Sequence, residues 1–364
     1  MRCRAPSRRR AAPGFALILV MIVIFSLGIL AGMFAFSMKV ESRLAANFND
    51  DAELQWYGRS GVELARYVLA ESFRRPKPAS LNQIWAGGPG DLTETNGPLM
   101  DLNLRAVKLG DATLSIRIED QERRANINRA DPVMIERALE LIGPGVADAA
   151  TIADSLADWL DLDDDPHLSG AESDFYNSLN PPYYAKNGPM DDIAELLLVK
   201  GVTPGLFWGP RALGHRDQLY RPQPWSEADE ALAGMAPIGL VDLFTAISSG
   251  AININTASAE VLQLLPGVDE VLAQNIIRFR AGPDGVDGTE DDTPFQNLGM
   301  LSPANVPGLV PEIVAEIQRL RLADVRSLTF HVEVEVRLGR LERTYSALVG
   351  MQGNVPVILQ FSWP

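Results

Sequence analysis

The stretch Asp161-Leu162-Asp163-Asp164-Asp165-Pro166-His167-Leu168-Ser169-Gly170-Ala171-Glu172 holds the residues whose types and spacing could do chemistry. Asp161, Asp163, Asp165, the carbonyl of His167, Ser169 and Glu172 fall at positions 1, 3, 5, 7, 9 and 12 of a calcium loop. In such a loop alternate residues point inward and a final glutamate binds bidentately. Pro166 stands where an EF-hand needs glycine, so the spacing leaves open which carboxylates bind. A second acidic loop runs from Gly282 to Thr293, where glycines let the chain curl and Asp284, Asp287, Asp291 and Asp292 supply hard oxygen atoms. All-oxygen donors suit Ca²⁺ better than Zn²⁺. A structural Ca²⁺ is therefore expected, with Asp161, Asp163, Asp165, Glu172, Asp284, Asp287, Asp291 and Asp292 as its candidate ligands. The alternative for each loop is a solvated acidic surface.

Other chemistry is poorly represented. His167, His215 and His331 are isolated, and neither a Gly-x-Ser-x-Gly elbow nor a Walker glycine loop occurs. No enzyme is expected. The only cysteine is Cys3, so a chain that has lost its first residues can form no disulfide, and metal is the natural cross-link outside a reducing compartment. The net charge of −15 becomes −20 once the five arginines that precede Gly14 are removed, which disfavours nucleic acid and attracts divalent cations.

The elements that must carry these loops begin with Phe15 to Met38, an uncharged apolar run behind the basic leader MRCRAPSRRRAAPG. A run of this length spans a bilayer as one helix, with the arginine-rich side in the cytoplasm and the remainder outside it. A signal peptide would carry its cleavage site after the apolar region. Here a basic leader ending in Gly14, then Phe15, resembles a type IV prepilin signal, which implies cleavage between Gly14 and Phe15 by a prepilin peptidase and N-methylation of Phe15. Pilins and pseudopilins usually carry glutamate at the fifth mature position, where it meets the N-terminal amine of the preceding subunit; here that position is Ile18.

Beyond the span, apolar residues from Leu44 to Leu69 recur at helical spacing with one gap at Gly58, predicting a helix that continues to about Arg74. Leu102, Leu104 and Ala106, then Leu114, Ile116 and Ile118 across Gly110-Asp111, predict a β-hairpin. Phe330 to Leu338, Tyr345 to Val349 and Val355 to Trp363 predict further strands, and residues 121–322 between the two β blocks read as helices and loops. The expected organisation is leader 1–14, transmembrane helix 15–38, a pilin-like core in two parts at 39–120 and 323–364, and an inserted helical domain at 121–322. The class is α+β, a long N-terminal helix packed on an antiparallel sheet, with an all-α insert of two helix-hairpin units. Those units start at Asn126-Ile127-Asn128 and Asn253-Ile254-Asn255, whose asparagines are expected to cap the helices that follow. The second unit resembles a helix-hairpin-helix module, which suggests a membrane-anchored DNA receptor as the rival function. Asp269 and Glu270 occupy the turn where that module would meet a phosphate, which argues against nucleic acid.

Five segments in order carry a more specific resemblance: Gly14-Phe15-Ala16-Leu17-Ile18, Arg124 to Asn128, Asp158 to Glu172 followed by Tyr176, Glu195 to Gly201, and Ile252 to Ala257. Together with the missing acid at position 18, they resemble the general secretion pathway protein K family, the minor pseudopilin K of type II secretion. The resemblance implies a subunit at the tip of a pseudopilus, anchored in the bacterial inner membrane with its C-terminal region in the periplasm. It further implies minor pseudopilins I and J as partners, and dealings with exported substrates and the inner-membrane assembly platform.

Overall fold

The computed structural model describes residues 13–74, 77–90, 97–99, 102–143, 149–209 and 238–363. Most of the expected leader, His215 and the Pro144-Gly145-Val146 turn lie outside them. The chain divides into two units, Met1–Tyr57 and Gly58–Pro364.

The first unit is helical. Helix α1 runs from Pro13 to Ser72, and its part within this unit contains an 18-residue window of mean hydropathy 2.8. Every residue from Phe15 to Met38 is exposed, Phe15 at 74% and Phe25 at 71%, so no apolar side chain of this stretch is buried by the described residues. Water is a poor solvent for such a surface and a bilayer core is a good one.

In the second unit the last turns of α1 lie on a five-stranded antiparallel sheet. Its strands are β1 (Val107–Leu109), β2 (Ala112–Asp120), β7 (Thr329–Leu338), β8 (Leu341–Gln352) and β9 (Val355–Ser362), adjacent in that order. Period-two alternation decides which face is buried. Leu114, Ile116 and Ile118 of β2, Val332, Val334 and Val336 of β7, and Tyr345, Ala347 and Val349 of β8 turn inward, where Val62, Ala65, Val68 and Leu69 of α1 are buried too. Each buried Val, Leu or Ile among them contributes about 1.5–3 kcal/mol on leaving water. The gap in the helical pattern has a steric cause. A Cβ at Gly58 would stand 2.4 Å from Tyr345 Cδ2, and one at Gly61 2.5 Å from Val334 Cγ1.

The predicted hairpin is present but its first strand is displaced. Leu102, Leu104 and Ala106 lie outside β1, and Leu104 instead offers its carbonyl to the Ile116 N–H at 2.7 Å. β8 extends further than its apolar alternation, from Leu341 to Gln352, with a bulge between Leu348 and Val349.

β2 and β7 are hydrogen-bonded neighbours, pairing Asp120 with Phe330, so everything between them is an excursion from the sheet. A buried polar joint ties its two ends. Glu122 accepts N–H bonds from Ser249 (2.9 Å), Leu328 (3.1 Å) and Thr329 (3.0 Å). Asp120 accepts from the Glu122 N–H (2.9 Å), Asn253 Nδ2 (3.1 Å) and the Thr256 hydroxyl (2.5 Å).

The excursion contains helices α2 (Pro132–Ile142) and α3 (Ala149–Leu160), then Glu270–Arg280 and Pro311–Leu320, all of comparable length. Two short parallel pairings accompany them, Ala125–Asn126 (β3) with Phe244–Thr245 (β4) and Ile252–Asn253 (β5) with Ala323–Asp324 (β6). At the α-helices that follow, other residues take the capping role expected of the asparagines. Asp131 caps α2 through the Met134 N–H at 2.8 Å, and Ser258 caps the helix that follows the second Asn-Ile-Asn. Asn126 caps only the short 3₁₀ helix Ile127–Arg129, accepting from the Asn128 N–H (2.9 Å), and Asn253 closes a tight turn, accepting from the Asn255 N–H (3.0 Å). Their side chains reach only two residues ahead, and the α-helices start later.

Candidate metal centre

Helix α3 buries Ile152, Ala153, Leu156 and Trp159, and the acidic loop folds back over its C-terminal end. Two backbone donors fix that return: the His167 N–H bonds Asp158 Oδ1 at 3.0 Å, and the Ser169 N–H bonds Asp154 Oδ2 at 2.9 Å. The imidazole Nδ1 of His167 meets the same Asp158 oxygen. The approach is so close that a Cβ at Gly170 would lie 1.9 Å from Asp158 Oδ2. Lys200 ties the loop from outside, its ammonium donating to the carbonyls of Ser169 (3.2 Å) and Gly170 (3.0 Å). Asn187 adds a bond to the Asp163 carbonyl at 2.8 Å. Beneath lies an aromatic floor in which Tyr176 stacks on Tyr183 and meets Trp159 edge-on.

Within this frame the ligand atoms of Asp161, Asp163 and Glu172 lie within 4.8 Å of one another, and so do those of Asp158, Asp161 and His167. Asp158 and Glu172 are buried, at 0% and 5% exposure. Asp158 Oδ2, Asp161 Oδ1 and both Glu172 carboxyl oxygens have no hydrogen-bond partner. Burying carboxylate oxygens side by side without donors is costly unless a cation or protons intervene. Burial, then the charges of Asp158, Asp161 and Asp164, push the Glu172 carboxyl up to about 7. Asp161 is raised in the same direction, chiefly by burial and then by Asp163. His167 is also raised, through its bond to Asp158. A divalent cation would reverse this, since hard oxygen donors in such a cradle are a Ca²⁺ donor set.

Of the loop residues predicted as ligands, Asp161, Asp163 and Glu172 come together, at positions 1, 3 and 12. Asp165 does not: it stays exposed, and its N–H donates to Asp163 Oδ1 at 3.1 Å. Asp158 was missed because it sits within a helix, although Asp154, Asp158 and Asp161 recur at i, i+4 and i+7 on one helical face.

The second loop does not gather its four acids. Asp287 forms a two-pronged ion pair with Arg280, at 2.7 and 3.0 Å, and the buried guanidinium also bonds the carbonyls of Ile254 (2.7 Å) and Ala257 (2.8 Å). Asp284 accepts from the Val286 N–H, and Asp291 from the Asp284 N–H and the Thr289 hydroxyl. Asp292 accepts from the N–H groups of Gly288 and Thr289. Each of these four carboxylates is already satisfied by the protein. In the hairpin that precedes this loop, Asp269 caps the helix Glu270–Arg280 through the Leu272 N–H at 2.8 Å, filling with its own negative charge the helix end a phosphate would need.

An exposed apolar helix whose C-terminal turns pack on an antiparallel sheet, with a helical excursion between two neighbouring strands, defines a pilin-type, membrane-anchored subunit. The family model described as type II secretion system (T2SS), protein K matches residues 101–208, and a helix-hairpin-helix motif model matches 248–291. Type II secretion system protein K of Pseudomonas aeruginosa is 28% identical over 78% of this chain and 77% of its own. The Aeromonas hydrophila protein of that description is 29% identical over 56% of this chain and 62% of its own, and the Klebsiella pneumoniae one 26% over 53% and 59%. The chain thus spans about 60% of the length of the latter two relatives. A chain in the crystal structure of the GspK-GspI-GspJ complex of enterotoxigenic Escherichia coli shares the fold, with a TM-score of 0.60 at 19% identity over 88% of this chain and 99% of that one. Residues 101–208 thus carry the type II secretion system protein K signature, and most of the chain is similar to proteins of that description.

Proposed function

We propose that the chain is the minor pseudopilin at the tip of a type II secretion pseudopilus, where it starts assembly with minor pseudopilins I and J and supports protein export. The observation that carries this is the fold likeness to one chain in the solved GspK-GspI-GspJ complex, which spans nearly all of that chain. The apolar stem supports the same reading. It would sit in the bacterial inner membrane with the second unit in the periplasm, after a prepilin peptidase has cut at Gly14 and Phe15 has been methylated. Ile18 offers no carboxylate to a subunit above, as expected of a terminal position. Exported substrates and the assembly platform are further expected partners.

In this reading Ca²⁺ is held by Asp158, Asp161, Asp163 and Glu172 and fixes the loop in a chain that has no disulfide. The ion would neutralise the cradle; the protein's own part is to aim the four carboxylates and to close the loop with Gly170, Asn187 and Lys200. The DNA-receptor alternative is disfavoured by Asp269 and by the net charge. The test is co-expression with minor pseudopilins I and J of one secretion system. A complex of all three proteins that survives size-exclusion chromatography is expected, and elution of this chain alone would contradict the proposal.

A further inference from the structure

Asn126 of the first Asn-Ile-Asn segment and Ile252, just before the second, line a cavity of about 280 Å³. Its walls include Met134, Ile252, Leu320 and Leu322, and two cations line it, Arg129 and Arg321. Arg129 ends the short 3₁₀ helix that Asn126 caps, and its side chain lies across Gly250, where a Cβ would stand 2.4 Å from Cδ and 2.8 Å from Nη1. Arg321 caps the helix Pro311–Leu320 in the left-handed conformation, at φ 55.

Neither guanidinium has a hydrogen bond or an ion pair with any described residue. That sets them apart from their neighbours. Arg280 is paired with Asp287, Arg319 with Glu316 and Arg326 with Asp324. Both side chains are exposed at the cavity rim, so two guanidinium groups that pair with no described residue stand ready for an anion at its mouth. A carboxylate suits them, because the planar fork of arginine matches its two oxygens. The aliphatic walls select further. They offer nothing to a strongly hydrated inorganic anion but release water when they cover an alkyl stem. The volume limits the guest to a small one.

We propose that this cavity binds a carboxylate carried on a short branched aliphatic stem, with Arg129 and Arg321 holding the carboxylate. The same chemistry is presented by a free short-chain branched acid and by a peptide C-terminus ending in leucine or valine.

The test is isothermal titration calorimetry on the full chain in detergent. The probes are 4-methylpentanoate, its amide, inorganic phosphate, and an acetylated tetrapeptide ending in leucine as free acid and as amide. Binding of the acids is expected, with each amide at least about tenfold weaker and phosphate failing to compete. Arg129→Gln and Arg321→Gln should each weaken the acids about tenfold while leaving the melting temperature in place. A tetrapeptide acid that binds more tightly than 4-methylpentanoate identifies the tail of a partner protein; equal affinities identify the free acid. Absence of binding by either acid, equal binding of acids and amides, competition by phosphate, or unchanged affinity in both arginine variants would overturn the assignment.

Discussion

Asp158 and Glu172 are buried carboxylates that hold oxygens with no donor facing them, so the loop they close is strained by its own charge until something positive enters. The consequence is a change of sign. With the metal chelated, Glu172→Gln removes like-charge repulsion and should melt no lower than wild type; in saturating Ca²⁺ it should melt lower, having lost a ligand. At Ca²⁺ a hundredfold above Kd, the wild type gains about 2.7 kcal/mol over its chelated state, and Asp158→Asn should forfeit most of that. Differential scanning calorimetry in EDTA and in Ca²⁺ checks both, and a Glu172→Gln variant that falls equally in the two conditions would argue for a purely structural role. This part of the site was half legible. Asp161, Asp163 and Glu172 could be found because alternation toward a final glutamate is a pattern in sequence. Asp158 could not, because its contribution depends on the loop folding back across a helix end. The second loop misled for a related reason: its composition does not reveal that Arg280, packed inside, already balances Asp287.

At the scale of elements, two junctions position the excursion. One is the contact of α1 with the sheet. Gly61→Val would drive methyl groups into Val334 and Leu114, and a loss of about 1–3 kcal/mol is expected in urea unfolding. Gly28→Ala, with nothing within 4 Å, serves as the clash-free control and should not destabilise. The other junction is the pair Asp120 and Glu122. Burial, then the charge of Asp120, raises the Glu122 carboxyl to about 7, above its unfolded value near 4.5. The folded state therefore binds more protons between these values, so the contribution of Glu122 is fully present below about pH 4.5 and is lost as pH rises to about 7. That loss amounts to at most about 3 kcal/mol. Glu122→Gln should flatten the slope across this window in urea titrations at several pH values, and an unchanged slope would remove Glu122 as its source. The strands of the sheet were legible because one face is buried and the other is not, which writes period two into Phe330 to Leu338. The short β1 was not, because backbone pairing with Ala112–Leu114 defines it, whereas Leu102 to Ala106 only imitate a strand.

The whole molecule combines an exposed apolar stem with a strongly acidic second unit, and this division was the most legible feature because composition alone carries it. The proposed tip position in a pseudopilus requires prepilin processing, and so stands on the identity of the first mature residue. Intact-mass and N-terminal peptide spectrometry of the protein, isolated from membranes of cells with an active prepilin peptidase, tests this most directly. The account predicts a chain that begins with methylated Phe15 and lacks Met1 to Gly14. A chain that still carries Arg8, Arg9 and Arg10, or one cut after Met38, would contradict it.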